Sequence, residues 1–199
     1  RLGNTPAIGG QSKYAIKSGL GVGIFKGNPA SIQLAGDTGY IQDSAFSTTD
    51  DGNDGGIDFT TANDALLVGV HNGVFFINGT TNKPTFANSV AASTTFGTNP
   101  NTNSTDGVAF VNDDPDQEYV VKADAAVGQA IFGLCGNIND FAAGDAKDGA
   151  STATFDSGTQ GETKMFRIVR SAEDPDNEDL TAAGANIIVV INAAANTYR

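Results

Sequence analysis

Between Leu66 and Phe86 the chain reads LLVGVHNGVFFINGTTNKPTF. Two apolar runs, Leu66 to Val70 and Val74 to Ile77, are separated only by the triplet His71 to Gly73. Short runs rich in Val, Ile and Phe are typical of β-strands, and an Asn-Gly pair supplies the positive φ that a tight hairpin turn requires. The stretch therefore predicts two antiparallel strands joined by a very short turn.

The run from Val74 to Ile77 further predicts a strand that is covered on both faces. Its four side chains are all large and apolar, although successive side chains of a strand point to opposite faces. Phe75 and Phe76 must then face opposite sides, so only one of them need belong to the domain's own core. We expect the other to lie either under a second layer of the protein or at an interface, where buried aromatic anchors carry much of the binding energy.

Similar short runs recur along the whole chain and predict an all-β fold. Gly, Asn, Asp and Pro separate nearly all of them, as in a small sandwich or barrel. The best helical candidate, Ala125 to Leu134, contains two glycines and is expected to form at most one or two turns. We expect a single domain over residues 1–199, a short-stranded β-barrel or sandwich with long polar loops. The other predicted strands are Tyr14 to Lys17, Ile32 to Leu34, Val108 to Val111, Glu118 to Ala123, Lys164 to Val169 and Ile187 to Ile191.

Three long stretches are predicted to be excursions from the compact domain. Ser44 to Asn63 and Ala92 to Gly107 are polar, with almost nothing to bury, and Phe141 to Gly161 is poor in large apolar residues. Long loops of this kind inside a compact domain are usually functional or mobile.

The composition argues against two classes of partner. The 199 residues include 11 basic and 23 acidic side chains, for a net charge of -12, and the basic ones are scattered singly. No basic patch could follow a nucleic-acid backbone, so we expect no nucleic-acid partner. No apolar run reaches the ~18 residues of a membrane-spanning helix and no signal-peptide pattern opens the chain, so we expect no membrane partner.

The residues that usually carry catalysis are scarce. His71 is the only histidine, so a catalytic or metal role would have to be built on a hairpin turn, and a solvated or hydrogen-bonded turn histidine is favoured. Cys135 is the only cysteine, which excludes an intrachain disulfide, and its apolar setting IFGLC predicts a small core residue. We expect no catalytic centre.

Two further motifs fail the tests for a cofactor. The acidic segment Asp50 to Gly55 suggests calcium, but an EF-hand loop starting at Asp50 would need an oxygen-bearing side chain in place of Gly52 and a Glu in place of Thr61. GLGVG, from Gly19 to Gly23, lacks the glycine offsets of a dinucleotide fingerprint. We therefore expect no cofactor and no metal.

An acidic motif, Asp-Pro-Asp-x-Glu, occurs twice, from Asp114 to Glu118 and from Asp174 to Glu178. Two such carboxylate clusters could act as a general acid and base, which would require a cleft and shifted pKa values, or they could contact a partner. Proline fixes φ, and an Asp side chain can accept a hydrogen bond from the backbone two residues on. We therefore favour a turn-building role for both motifs.

Three segments of the chain together resemble a family of head structural proteins from tailed bacteriophages, many of them marine. The shared pattern is Gly-Val-x-Asn-Gly followed by Lys-Pro-x-Phe, then an apolar strand into Asp-Asp-Pro, then a later strand into Pro-Asp-Asn-Glu. The amino-terminal RLGNTPAIGGQSKYAIKSGLGVGIFKGNPA also resembles the family's opening. The matching residues are Gly69 to Gly73 with Lys83, Pro84 and Phe86, then Val108 to Asp124, then Val169 to Glu178.

The resemblance implies a capsid decoration, or cement, protein. Such proteins bind the outer surface of an icosahedral shell of HK97-like major capsid protein and stabilise the contacts between its subunits. The implied location is the outside of a virion, after synthesis in the host cytoplasm, and both a homotrimer and asymmetric monomers are compatible with it. The net charge of -12 agrees, because packaged DNA would repel such a protein. The candidate capsid-interface residues are Phe75, Phe76, Lys83 and Phe86.

Two functions from other classes remain as alternatives. A virion-associated receptor-binding or carbohydrate-binding β module would fit the exposed loops, but it predicts aromatic surface platforms, and the chain has no Trp and four Tyr. A small hydrolase would need a constellation of His or Cys that the sequence does not offer.

Overall fold

A computed structural model describes residues 10–33, 39–43, 67–139, 144–162, 164–177 and 179–192. Within these residues the chain forms thirteen β-strands and one 3-10 helix, with no α-helix, which confirms the all-β, single-domain prediction. The strands are β1 (Ser12–Ile16), β2 (Ile24–Phe25), β3 (Pro29–Ile32), β4 (Ile41–Asp43), β5 (Leu67–Ile77), β6 (Pro84–Ala87), β7 (Ser89–Val90), β8 (Gly107–Asn112), β9 (Glu118–Lys122), β10 (Cys135–Asn139), β11 (Thr154–Gln160), β12 (Phe166–Ser171) and β13 (Asn186–Ile191).

The strands form three antiparallel sheets. The central sheet has six strands in the order β1-β8-β5-β3-β4, with β6 also paired to β5. The second sheet has five, in the order β11-β10-β12-β13-β9, and β2 pairs with β7 in a small third sheet. The long strand β5 is the axis of the central sheet, since it pairs with β8 on one side and with β3 and then β6 on the other.

The predicted hairpin at His71 to Gly73 is wrong, because β5 runs through this triplet as one strand of 11 residues. Opposite it on β8, His71 pairs with Val111 and Gly73 with Phe110, so Asn72 is an extra residue and forms a β-bulge. Gly73 has φ 140°. The Asn-Gly pair thus supplies a positive φ as predicted, but β8 pairs with both halves of β5, and the positive φ serves a bulge instead of a chain reversal.

The two faces of β5 contribute to two separate cores near the start of the strand, but in residues 74–77 only one face packs on a core, because Phe75 belongs to neither, so the predicted cover on both faces is found only in part. Val68, Val74 and Phe76 belong to the first core, together with residues of β1, β2, β3, β7 and β8. Leu67 and Val70 belong to the second core, formed mainly by the second sheet. Val68 is an extra residue in the pairing with β3, and this bulge lets Val68 and Val70 face different cores.

The second sheet is partly closed into a barrel. Ala123, just after β9, bridges to Phe155 of β11, and the Asp124 amide donates a hydrogen bond to the Phe155 carbonyl over 3.0 Å. The Asp124 carboxylate accepts hydrogen bonds from the Ser157 hydroxyl at 2.6 Å and from the Asn139 amide at 2.8 Å. Desolvation opposes the charged form of Asp124, but these hydrogen bonds outweigh it and lower the pKa of the carboxyl.

Two of the three predicted excursions contribute core residues. In the segment from Ala92 to Gly107, Phe96 is buried and stacks on Phe76 with ring centroids 4.8 Å apart. The segment from Phe141 to Gly161 contains β11, and its Phe155 is fully buried. The prediction that residues 141–161 form an excursion is therefore wrong, because one aromatic side chain anchors an otherwise polar stretch. Ser44 to Asn63, which includes the acidic segment considered for calcium, lies outside the described residues.

Two smaller sequence predictions, the very short helix and the buried cysteine, are confirmed. The helical candidate contains only the 3-10 helix Gln129–Ile131. Cys135 is buried in β10, and this burial raises the pKa of its thiol. No helix in the described part of the chain is long and apolar enough to cross a bilayer.

Both Asp-Pro-Asp motifs form turns, as the sequence predicts. The Asp114 side chain accepts a hydrogen bond from the Asp116 amide at 2.9 Å, and the Asp174 side chain accepts one from the Asp176 amide at 3.1 Å. The first turn leads into Glu118, which pairs with Val190 at one end of β13, whereas the second is tied to Asn186 at the other end. The two turns are thus at opposite ends of β13 and do not form a carboxylate pair.

Candidate functional site

Three phenylalanines form a continuous surface on the central sheet, the aromatic patch of Phe75, Phe86 and Phe110. Phe75 on β5 pairs directly with Phe86 on β6, and their ring centroids are 4.6 Å apart. Phe110 on β8 pairs with Gly73, two residues before Phe75, and its ring lies 6.4 Å from that of Phe86. Because side chains two residues apart on a strand share a face, the register brings all three rings to one side of the sheet.

The aromatic patch faces outward from both cores. Phe86 is 74% exposed, and Phe75 and Phe110 are half-buried. Their strand neighbours Val74 and Ala109 point the other way and are buried in the first core. A contiguous exposed apolar cluster of this kind marks an interaction site more often than isolated surface residues do.

A groove of about 380 Å³ lies between Phe86 and Phe110, with Gly73 among its lining residues. A side chain at Gly73 would bring its Cβ within 3.2 Å of the Ala87 carbonyl oxygen, and the φ of 140° disfavours any residue with a Cβ. Asn72 and Asn88 also line the groove. Their amides are held by hydrogen bonds, from Asn72 to the Gln11 side chain at 2.8 Å and from Asn88 to the Asp148 carbonyl at 2.9 Å.

A basic side chain flanks the aromatic patch. Lys13 on β1 pairs with Phe110 and is exposed, so it lies on the same face of the sheet as the rings. The chain as a whole has a net charge of -12. The patch therefore combines aromatic area with local positive charge, in contrast to the overall acidity of the protein.

The four predicted interface residues lie in different environments. Phe75 and Phe86 meet in the aromatic patch, whereas Phe76 is 7% exposed and stacks on Phe96 in the first core. Lys83 is exposed in the turn between β5 and β6, and its carbonyl accepts a hydrogen bond from the Asn78 amide at 2.9 Å.

Sequence reasoning missed Phe110 and Gly73. The strand containing Phe110 was predicted, but its pairing with β5 was not, and only that pairing places Phe110 beside Phe86. The signal for Gly73 was present in the Asn-Gly pair but was interpreted as a turn.

His71 is buried in β5, at 1% exposure, and is not a turn histidine. Its Nε2 lies 3.3 Å from the Gln42 carbonyl oxygen, which can only accept, so the proton is on Nε2. Nδ1 has no hydrogen-bond partner among the described residues. Desolvation lowers the pKa of His71 to about 4, despite the opposing effect of the Gln42 hydrogen bond. The ring is therefore neutral at neutral pH.

Within the described ranges, no group of three or more His, Cys, Asp or Glu side chains is arranged to hold a metal ion. Tyr119 donates a hydrogen bond from its hydroxyl to the Asn112 carbonyl at 3.0 Å. Burial, reinforced by the nearby carboxylates of Asp114 and Asp113, raises the pKa of that hydroxyl.

Comparison with protein-family models, with curated proteins and with solved structures found no match to this chain.

Proposed function

We propose that the protein is a virion structural protein, a capsid decoration or cement protein that binds the outer surface of an icosahedral phage head through the aromatic patch. Its partner in this proposal is the major capsid protein. The observation that carries the proposal is the outward-facing cluster of Phe75, Phe86 and Phe110, of which Phe86 is 74% exposed.

The resemblance to phage head proteins and the patch involve the same parts of the chain. Phe75 and Phe86 fall in the first resembling segment and Phe110 in the second. The net charge of -12 favours the outside of the shell over the DNA-filled interior, where like charges repel. Lys13 beside Phe110 predicts that the capsid surface facing the patch offers an apolar recess with an acidic neighbour.

The mechanism is non-covalent stapling. Each copy bridges neighbouring capsid subunits and stabilises the assembled shell by mass action, because it binds the assembled state and not the separated subunits. A contact of ~1,000 Å² for each copy is enough for specific binding, and the stabilisation is repeated across the lattice.

The test is binding of the purified protein to shells assembled without it. We expect Phe86→Ala to remain folded and to bind about 30-fold more weakly, since a buried aromatic anchor contributes about 2 kcal/mol or more to association. Leu134→Ala is the matched control, because Leu134 is another exposed large apolar residue, at 47%, outside the aromatic patch.

Co-sedimentation of each variant with the shells, quantified over a range of protein concentrations, gives the affinities of Phe86→Ala and Leu134→Ala for the shell. The proposal is wrong if the unaltered protein does not bind shells, and the role of the patch is wrong if Phe86→Ala binds as well as Leu134→Ala.

A carbohydrate-binding module of the virion is the second candidate, favoured by one observation. The groove combines the rings of Phe86 and Phe110 with the amides of Asn72 and Asn88, and small ligand sites combine apolar walls with a few polar groups in this way. A glycan array distinguishes the two functions. Binding to a glycan that Phe86→Ala abolishes, together with normal shell binding by that variant, would favour the carbohydrate role.

A further inference from the structure

We propose that the protein has a binding site for a small, uncharged, apolar molecule with a single ring, in a cleft at the seam of the second sheet between β9 and β11. This seam cleft is distinct from the aromatic patch, and the proposal does not depend on the capsid role.

The seam exists because the closure of the barrel is incomplete. β9 and β11 are bridged at Ala123 and Phe155. Going back along both strands from that bridge, the chain before β11 turns away, and Ala150 bridges to Lys26 instead. The Ser151 amide donates to the Lys26 carbonyl at 2.8 Å, which holds this segment against the loop before β3. Val121 and Ala153 each lie two residues before the bridge between Ala123 and Phe155, and both line the cleft.

The walls of the seam cleft are apolar. Val121 and Ala153 form its two edges, Ile138, Phe166 and Val189 come from the second sheet, and Val70 comes from β5. Tyr119 also lines the cleft, but its hydroxyl is engaged with the Asn112 carbonyl at 3.0 Å. An ion placed there would lose its hydration without a compensating partner, so these walls select an uncharged ligand.

The size of the cleft sets the size of the ligand. Its volume is about 170 Å³. An engineered apolar protein cavity of about 150 Å³ binds benzene, whereas a buried water needs two to four polar partners. Val120, which also lines the cleft, is 65% exposed, so the cleft reaches the surface beside β9 and a ligand can enter without unfolding the barrel.

The experiment uses the full chain and two probes, benzene and benzoate, which share a ring and differ in charge. We expect benzene to raise the thermal unfolding midpoint in proportion to the logarithm of its concentration above the dissociation constant. Benzoate at the same concentration should leave the midpoint unchanged.

Ala153→Leu fills the cleft and should weaken benzene binding at least tenfold. Ala146→Leu is the matched control, the same substitution at an exposed turn residue, and should respond to benzene as the unaltered protein does. Intermolecular NOEs from benzene to the methyl groups of Val121 and Ile138 in the unaltered protein test the site even if Ala153→Leu does not fold.

Three results would each overturn the proposal. The first is the absence of these NOEs, the second is an equal response to benzoate, and the third is full benzene binding by a folded Ala153→Leu variant. NOEs found only at Phe86 and Phe110 would assign benzene to the aromatic patch and also reject the seam cleft.

Discussion

At the scale of single residues, Phe75 and Phe76 show how one pair of neighbours divides between folding and recognition. Phe76 is 7% exposed against Phe96, whereas Phe75 faces outward and packs on Phe86. We expect Phe76→Ala to lower the free energy of unfolding by about 3 to 5 kcal/mol, the usual cost of removing a buried phenyl ring. Phe86→Ala should cost only about 1 kcal/mol, because it loses the ring contacts with Phe75 and Phe110 but little burial.

Urea unfolding of both variants followed by circular dichroism measures the two free energies. Equal losses in the two variants would contradict the division of roles between core and patch.

Because His71 is buried, we expect the protein to lose folding stability in mild acid. Its pKa falls from 6.5 in the unfolded chain to about 4 in the folded protein, because burial disfavours the charged ring. The unfolded state therefore binds the proton first. The free energy of unfolding is not reduced by this group above about pH 6.5, and it declines as the pH falls towards 4. The total loss that His71 causes is about 3 kcal/mol. At still lower pH, carboxyls whose pKa is lowered in the folded protein, such as Asp124, become protonated and further reduce the free energy of unfolding.

The measurement is NMR titration of the ring, whose signals are unambiguous because the chain has one histidine. A midpoint near 6.5 in the folded protein would show that His71 is solvated and would remove the predicted decline.

At the scale of secondary-structure elements, the bulge in β5 places Gly73 in the lining of the groove between Phe86 and Phe110. Gly73→Ala places a Cβ at φ 140° and 3.2 Å from the Ala87 carbonyl oxygen. We expect it to lower the free energy of unfolding by about 1 to 3 kcal/mol, the cost of holding a residue with a side chain in a strained backbone conformation.

Gly128→Ala is the matched control for the bulge. Gly128 has φ -70° and no heavy atom within 4 Å of an added Cβ, so this substitution should be neutral or slightly stabilising. Thermal unfolding compares the Gly73→Ala and Gly128→Ala variants. Equal unfolding midpoints would mean that the bulge does not require glycine at position 73.

The same strand shows what sequence can and cannot predict here. Runs of Val, Ile and Phe located β8, β9, β12 and β13 to within about two residues and marked the two halves of β5, because apolar strand residues carry a local signal. The local Asn-Gly signal could not distinguish a bulge from a hairpin, since the choice depends on β8, which lies more than thirty residues further along the chain. Pro84–Ala87 and Thr154–Gln160 were missed because neither has a run of large apolar residues.

Only part of the candidate site could be predicted from the sequence, again because strand pairing over a long stretch of chain has no local signal. Phe86 and Phe75 stand in one short stretch of sequence, whereas Phe110 joins them only through the pairing of β8 with β5. Lys13 reaches the same face through the further pairing of β1 with β8.

At the scale of the whole molecule, the fold separates two surfaces for which we propose different ligands. The central sheet presents the aromatic patch, and the second sheet has a seam cleft on its own apolar core. β5 connects them, because its residues contribute to both cores. The chain carries 23 acidic and 11 basic side chains, so Lys13 beside the patch is a positive charge on a protein of net negative charge.

The most direct test of the central claim, that this protein decorates a phage head through its aromatic patch, is a cryo-EM map of intact virions that contain it. We expect density for this chain on the outer surface of the head, with Phe86 and Phe110 buried against the major capsid protein and Lys13 beside an acidic side chain. Density confined to the tail or to the inside of the shell, or a bound copy whose aromatic patch faces solvent, would contradict it.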